Sequence, residues 1–140
     1  MQILYTAEAL ASGDGRNGHA RTTDGKVDVD LSTPKEMGGD GVGTNPEQLF
    51  AAGYAACFHS ALRLVGKQAK ANIDDSAVGA KVGIGPNDAG GFGLAVTLEV
   101  SLPHLSKEDA RALADKAHEV CPYSNATRGN IDVEVLLAED

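Results

Sequence analysis

Apolar residues alternate loosely from Ile3 to Leu10, and that pattern predicts a first strand. The next segment, Ser12 to Gly18 (SGDGRNG), reads as a glycine-rich loop. Runs at His19 to Thr23 and Lys26 to Leu31 flank Asp24-Gly25, a two-residue hairpin signal. In the second run Val27, Val29 and Leu31 share one face and Asp28 and Asp30 the other, as in a half-buried strand. A glycine-rich loop with Pro34 follows, from Ser32 to Thr44, long enough to suggest a role of its own.

The pattern then changes period. From Leu49 to Leu62 nearly every residue is apolar, with His59 and Ser60 as exceptions. This predicts a helix from Thr44 or Asn45 to about Lys67, with Pro46 in its first turn and Glu47 near the positive end of its dipole. Thr44-x-x-Glu47 fits a capping box. An all-round apolar helix is expected to be buried on several sides. Its small residues, among them Ala52, Gly53 and Ala56, would let a second helix approach closely, for example its twin in a dimer.

Ser76 to Ile84 and Phe92 to Leu102 predict two strands joined by GPNDAGG. Ser106 caps a second helix, SKEDARALADKAHEVC, which Pro122 stops. Ile131 to Leu137 closes the chain as a strand. The order βββαββαβ is α+β, rich in antiparallel pairing, in one domain spanning residues 1–140.

A chain of 140 residues can bury a core without disulfide staples. A net charge of −8 with scattered Lys and Arg argues against nucleic-acid binding. The N-terminal residues lack the features of a signal peptide, and no run is expected to approach the roughly 18 apolar residues of a membrane span. The expectation is a cytoplasmic protein, where permanent disulfides are uncommon.

That setting matters for Cys57 and Cys121, the only two cysteines. Two such thiols can staple the fold, help bind a metal, or cycle between thiol and disulfide. A reactive thiol in an apolar helix needs a cation to hold its thiolate, and Arg16 in the glycine-rich loop is the candidate. Glu47 can hold that guanidinium as a bidentate pair. Glu47 and Cys57 lie ten residues apart, about 15 Å along a straight helix, so this trio requires tertiary or quaternary assembly. Phe50, Tyr54 and Phe58 crowd the Cys57 helix and Tyr123 follows Cys121; as pocket walls they favour an apolar substrate.

Other signals carry less. GDGRNG fits G-x-G-x-x-G but precedes a strand pattern, which argues against dinucleotide binding. The four histidines lack metal-ligand spacing, and His59 is assigned no role. On residue chemistry alone, three readings stay open: a thiol-dependent peroxidase, a redox-responsive binding module, and a small-molecule carrier with structural thiols.

NPEQLFAAGYAACF and KAHEVCPYSNATRGNIDV closely resemble the two cysteine segments of the organic hydroperoxide resistance proteins, the Ohr branch of the Ohr/OsmC family. LYTAEA, GRNG, GGDGVGTNPEQ and VGIGPNDAGGFGL fit as well, so the resemblance spans essentially the whole chain. It implies an OsmC-like fold, with antiparallel-rich sheets around two central helices in an intertwined homodimer whose active sites lie at the subunit interface. It implies reduction of organic hydroperoxides to alcohols, with Cys57 peroxidatic, Cys121 resolving, and Arg16 and Glu47 activating the thiol. It also implies no bound cofactor, the external reductant being a dihydrolipoyl group on a lipoylated protein.

Overall fold

The computed structural model describes residues 1–138; residues 139 and 140, the end of the expected 1–140 domain, lie outside them. Internal contacts divide the chain into two units, Met1–Leu49 and Phe50–Asp140.

The first unit holds a three-stranded antiparallel sheet, β1 (Ala9–Ser12), β2 (His19–Thr22) and β3 (Asp28–Asp30), in that order. The first strand is displaced from the expected Ile3 to Leu10. Pairing decides this: Ala9 to Ser12 find partners in Thr22 to His19. Ile3, Leu4 and Tyr5 stay exposed. The β2–β3 hairpin is present, but its loop is wider than the expected two residues. Asp24 explains the difference, because its Oδ1 accepts from Thr22 Oγ1 and from the Lys26 N–H, and Gly25 takes a positive φ of 74°. Residues 32–44 form a loop whose ends meet: Thr44 N–H donates to Asp30 O, and Ser32 N–H donates to Thr44 O.

Helix α1 (Pro46–Gln68) begins in this unit and runs unbroken through Gly53. Asn45, not Thr44, caps it. The residue before a proline is pushed out of helical geometry, which is where an N-cap belongs, and Pro46 then occupies the first turn. The capping box is therefore Asn45 with Gln48: Gln48 N–H donates to Asn45 Oδ1 at 2.8 Å and Asn45 N–H to Gln48 Oε1 at 3.3 Å. Glu47 is left free for another partner.

In the second unit, α1 buries one stripe: Tyr54, Phe58, Ala61, Leu62, Val65 and Gly66. Ala52, Ala56 and Leu64 on the helix stay exposed, so the burial on several sides expected from composition is not realised within one chain. By length and composition alone α1 would suffice to cross a membrane, but its stripe belongs to a protein core. That core is completed by a second sheet, β4 (Ala77–Pro86), β5 (Phe92–Ser101) and β6 (Asp132–Leu137), with β5 central. Rows of side chains cross it in register, Val82–Val96–Val133 and Ala80–Leu98–Val135 among them. β4 and β5 pair antiparallel; β6 returns parallel to β5 after the helices α2 (Lys107–Val120) and α3 (Pro122–Thr127). Ser106 caps α2 as expected, its side chain accepting from the Asp109 N–H. Pro122 both ends α2 and starts α3, a short helix not foreseen. The same rule applies as at Asn45-Pro46: Cys121 is extended (φ −64°, ψ 124°), and Pro122 is the first residue of the new helix.

Candidate active site

Cys57 lies mid-way along α1, one turn after Tyr54 on the buried stripe. Cys121 lies at the α2–α3 junction. The fold brings them together: Cys121 Sγ is 3.6 Å from Cys57 Sγ and its thiol points toward it. Both are free thiols. Cys121 is fully buried and Cys57 only partly so, which gives the two sulfurs unequal access from outside. Burial pushes the Cys57 thiol above its ordinary pKa, and the Tyr123 backbone N–H opposes this by bonding its sulfur. Cys121 adds to the rise, first through its hydrogen-bond contact with the Cys57 sulfur and then through charge repulsion.

Arg16 and Glu47, both in the first unit, form a fork-to-fork pair. Arg16 Nη1 donates to Glu47 Oε2 at 2.8 Å and Nη2 to Oε1 at 2.6 Å. A short 3-10 turn at Gly15–Asn17 presents Arg16. Asn17 Oδ1 accepts from the Thr33 N–H, and Gly18 O accepts from the Leu31 N–H, tying this turn to the segment that leads to Glu47. The side chains are 34% and 13% exposed, so the carboxylate is the better shielded partner. Arg16 holds the Glu47 carboxyl below the usual carboxylate range, and Glu47 raises the already high pKa of Arg16. Glu47 and Cys57 remain ten residues apart on unbroken helix, about 15 Å of rise.

The four aromatic candidates divide. Phe50, Tyr54 and Tyr123 pack edge to face or tilted, with centroids 5.6 to 6.2 Å apart. Tyr123 is well exposed and Phe50 partly buried, so both retain surface for a ligand. Tyr54 and Phe58 have none, being wholly enclosed; they are core residues and not the substrate-binding residues expected. Tyr123 lies across Gly53, where an added Cβ would meet its hydroxyl at 2.9 Å.

A group missed in the sequence surrounds Tyr54. Its hydroxyl bonds Ser124 Oγ at 2.8 Å and Thr127 Oγ1 at 3.1 Å, while His118 Nδ1 bonds Ser124 Oγ at 2.7 Å. The available signal was Ser124 and Thr127 three apart on one helical face, directly after Cys121. His59 instead bonds Ser76 Oγ. Among the described residues no cluster of three or more His, Cys, Asp or Glu is placed to hold a metal ion.

Residues 38–136 match the OsmC-like protein family. The organic hydroperoxide resistance protein of Xanthomonas axonopodis pv. citri is 53% identical over 139 residues, spanning 98% of this chain and 96% of that protein. The organic hydroperoxide resistance protein OhrB of Bacillus subtilis is 47% identical over 134 residues, spanning 96% and 98%. The crystal structure of an organic hydroperoxide resistance protein from Legionella pneumophila has a TM-score of 0.94 to this chain at 50% identity, covering 99% and 100% of the two. The chain belongs to the OsmC-like family, on the branch of the organic hydroperoxide resistance proteins.

Proposed function

We propose that the protein is a thiol-dependent peroxidase that reduces organic hydroperoxides to alcohols. The observation that carries this reading is the 3.6 Å approach of two free sulfurs, one partly open to the surroundings and one sealed. The similar proteins named for organic hydroperoxide resistance support the substrate class.

In the proposed cycle the Cys57 thiolate attacks one peroxide oxygen. The O–O bond breaks, Cys57 becomes a sulfenic acid, and the alkoxide leaves as alcohol after taking a proton. Cys121 then attacks the Cys57 sulfur, forming the disulfide and releasing water. A disulfide needs an S–S distance of about 2.05 Å, so the sulfurs must close by roughly 1.5 Å. An external dithiol, a dihydrolipoyl group on a lipoylated protein, restores both thiols and leaves as a cyclic disulfide.

Burial works against the Cys57 thiolate, so the cycle requires a cation. We assign that role to Arg16, with Glu47 holding its guanidinium in a fixed orientation. Phe50 and Tyr123 supply apolar surface for the alkyl portion of the substrate. A homodimer is part of the proposal: the exposed Ala52, Ala56 and Leu64 on α1 and the exposed Ile3, Leu4 and Tyr5 are surfaces suited to a second copy. The reading places the protein in the cytoplasm, where reduced dithiols are available.

The test is to mix reduced protein with cumene hydroperoxide and follow both thiols by mass spectrometry. The expected product has lost two hydrogens through a Cys57–Cys121 disulfide that dihydrolipoamide reverses, and Cys57→Ser abolishes turnover. Two thiols still free after excess hydroperoxide would sink the reading.

A further inference from the structure

The direction of proton donation among the buried hydroxyls around Tyr54 follows from one bond, that of Thr127 to the α3 backbone. Thr127 Oγ1 donates its single hydrogen to Ser124 O at 3.2 Å. Its bond to Tyr54 must then be one it accepts, which uses the only phenolic hydrogen. Tyr54 Oη therefore accepts from Ser124 Oγ, and Ser124, its hydrogen committed, accepts from His118 Nδ1–H. The chain runs His118 to Ser124 to Tyr54 to Thr127 and ends on the backbone of α3. Burial keeps His118 below its ordinary pKa, so it is the neutral ring with its proton on Nδ1 that makes this bond at neutral pH.

This chain joins the three helices that carry or frame the thiols. Tyr54 stands one turn before Cys57 on α1. Ser124 and Thr127 lie within two turns after Cys121 on α3, and His118 lies in the last turn of α2. Tyr54 and Ser124 are fully buried and Thr127 nearly so, so no solvent can replace a lost partner. We infer that the His118–Ser124–Tyr54–Thr127 chain positions Cys121 for disulfide closure, with Tyr54 as a positioning residue. The inference rests on the proposed resolving role of Cys121. Its physical basis is that α3 is too short to hold itself, and a helix free to shift carries the Cys121 sulfur with it.

The test separates closure from peroxide chemistry. Diamide adds to one thiolate and the second thiol then displaces the reduced hydrazine to form the disulfide, so with diamide high enough to make the addition fast, the rate reads closure without any peroxidase step. In Tyr54→Phe we expect diamide closure to slow by about 10-fold, the scale for misplacing reacting atoms by a fraction of the 1 Å that costs about 100-fold. With cumene hydroperoxide the same variant should lose the Cys57 thiol at the wild-type rate yet accumulate sulfinic acid in place of disulfide. His118→Asn, whose amide can replace the Nδ1–H donor, should close at the wild-type rate, whereas His118→Leu should be slow. Leu98→Ala controls for stability: it should lower the Tm at least as much as Tyr54→Phe without slowing diamide closure. Closure in Tyr54→Phe within twofold of wild type, or equal slowing in Leu98→Ala, overturns the inference. A wild type that closes with diamide but ignores hydroperoxide overturns the proposed peroxidase instead, and the diamide comparison still decides this point.

Discussion

The Arg16–Glu47 pair offers a quantitative test, because its geometry and shielding bound its strength. Exposed ion pairs contribute about 0.2–1 kcal/mol, and single hydrogen bonds to charged groups about 1.5–3 kcal/mol before partner desolvation is fully offset. This pair has two short parallel bonds, with a carboxylate only 13% exposed but a guanidinium 34% exposed. The first two facts move it above the exposed class, and the third screens it, so a coupling of about 1–2 kcal/mol is expected. Glu47→Ala alone should cost more than the coupling, because Glu47 also sits in the first turn of α1, where a negative charge contributes about 0.3–1 kcal/mol. Urea unfolding of Arg16→Ala, Glu47→Ala and the double variant isolates the pair. The coupling should be full above the ordinary carboxylate pKa of about 4.3 and should vanish as pH falls through the lowered native value, since Glu47 is the depressed partner and Arg16 stays charged. A second readout is the Cys57 thiol pKa, followed by thiolate absorbance in a Cys121→Ser background; the proposed activation requires it to rise in Arg16→Ala. A coupling below about 0.3 kcal/mol would put the pair with ordinary surface contacts and refute the reasoning from geometry.

Other perturbations probe separate parts of the molecule. Cys121→Ser should leave the first oxidation of Cys57 intact and trap sulfenic or sulfinic acid, read by dimedone labelling and intact mass. Gly66→Ala should destabilise by about 1 kcal/mol in urea unfolding: an added Cβ would lie 2.5 Å from Ile73 Cγ2, and overpacking of roughly 1–3 kcal/mol outweighs a helix-propensity gain near 1 kcal/mol. His19 bonds Asp30 and Asp28 through its two ring nitrogens, and these bonds raise its pKa. Its contribution is therefore present below pH about 6.5 and lost as pH rises through the raised native value, and His19→Gln should flatten the stability profile across that window.

The element order was legible in the sequence because it depends on local chemistry. Pro46 and Pro122 each force the preceding residue into a cap, Ser106 announces α2, and the β5 alternation from Leu94 to Leu102 has the period of a strand with one buried face. What failed was whatever depended on a partner. Ile3 to Leu10 alternate well enough for a strand, but Thr22 to His19 pair with Ala9 to Ser12 instead. Two overlapping capping boxes were available one residue apart, and only the backbone restriction before Pro46 selects Asn45 with Gln48. Of the site residues, the thiol pair and the Arg16–Glu47 fork are brought together as expected, since each needs a specific chemical complement. Tyr54 differs from the expected pocket wall because an aromatic beside a cysteine fits a pocket wall and a core equally well. Its partners Ser124 and Thr127 show only once α3 exists, and the sequence offers Pro122 only as the stop of α2.

The unequal burial of the two sulfurs gives the proposed cycle its order. A hydroperoxide must reach the sulfur it oxidises, and of the two cysteines Cys57 is partly exposed whereas Cys121, at the α2–α3 junction, is fully buried. In the proposed cycle its burial shields Cys121 from direct oxidation, while it lies one short displacement from the Cys57 sulfur. That proximity makes closure an intramolecular event, favoured by effective concentrations far above those of any competing peroxide. Burial also raises the Cys57 pKa, so in the proposed cycle the first attack needs the cation assigned to Arg16, and the second step needs a resolving thiol held in place. Loosening either should produce distinct failures: slow first attack when the cation is lost, and overoxidation when the resolving sulfur drifts.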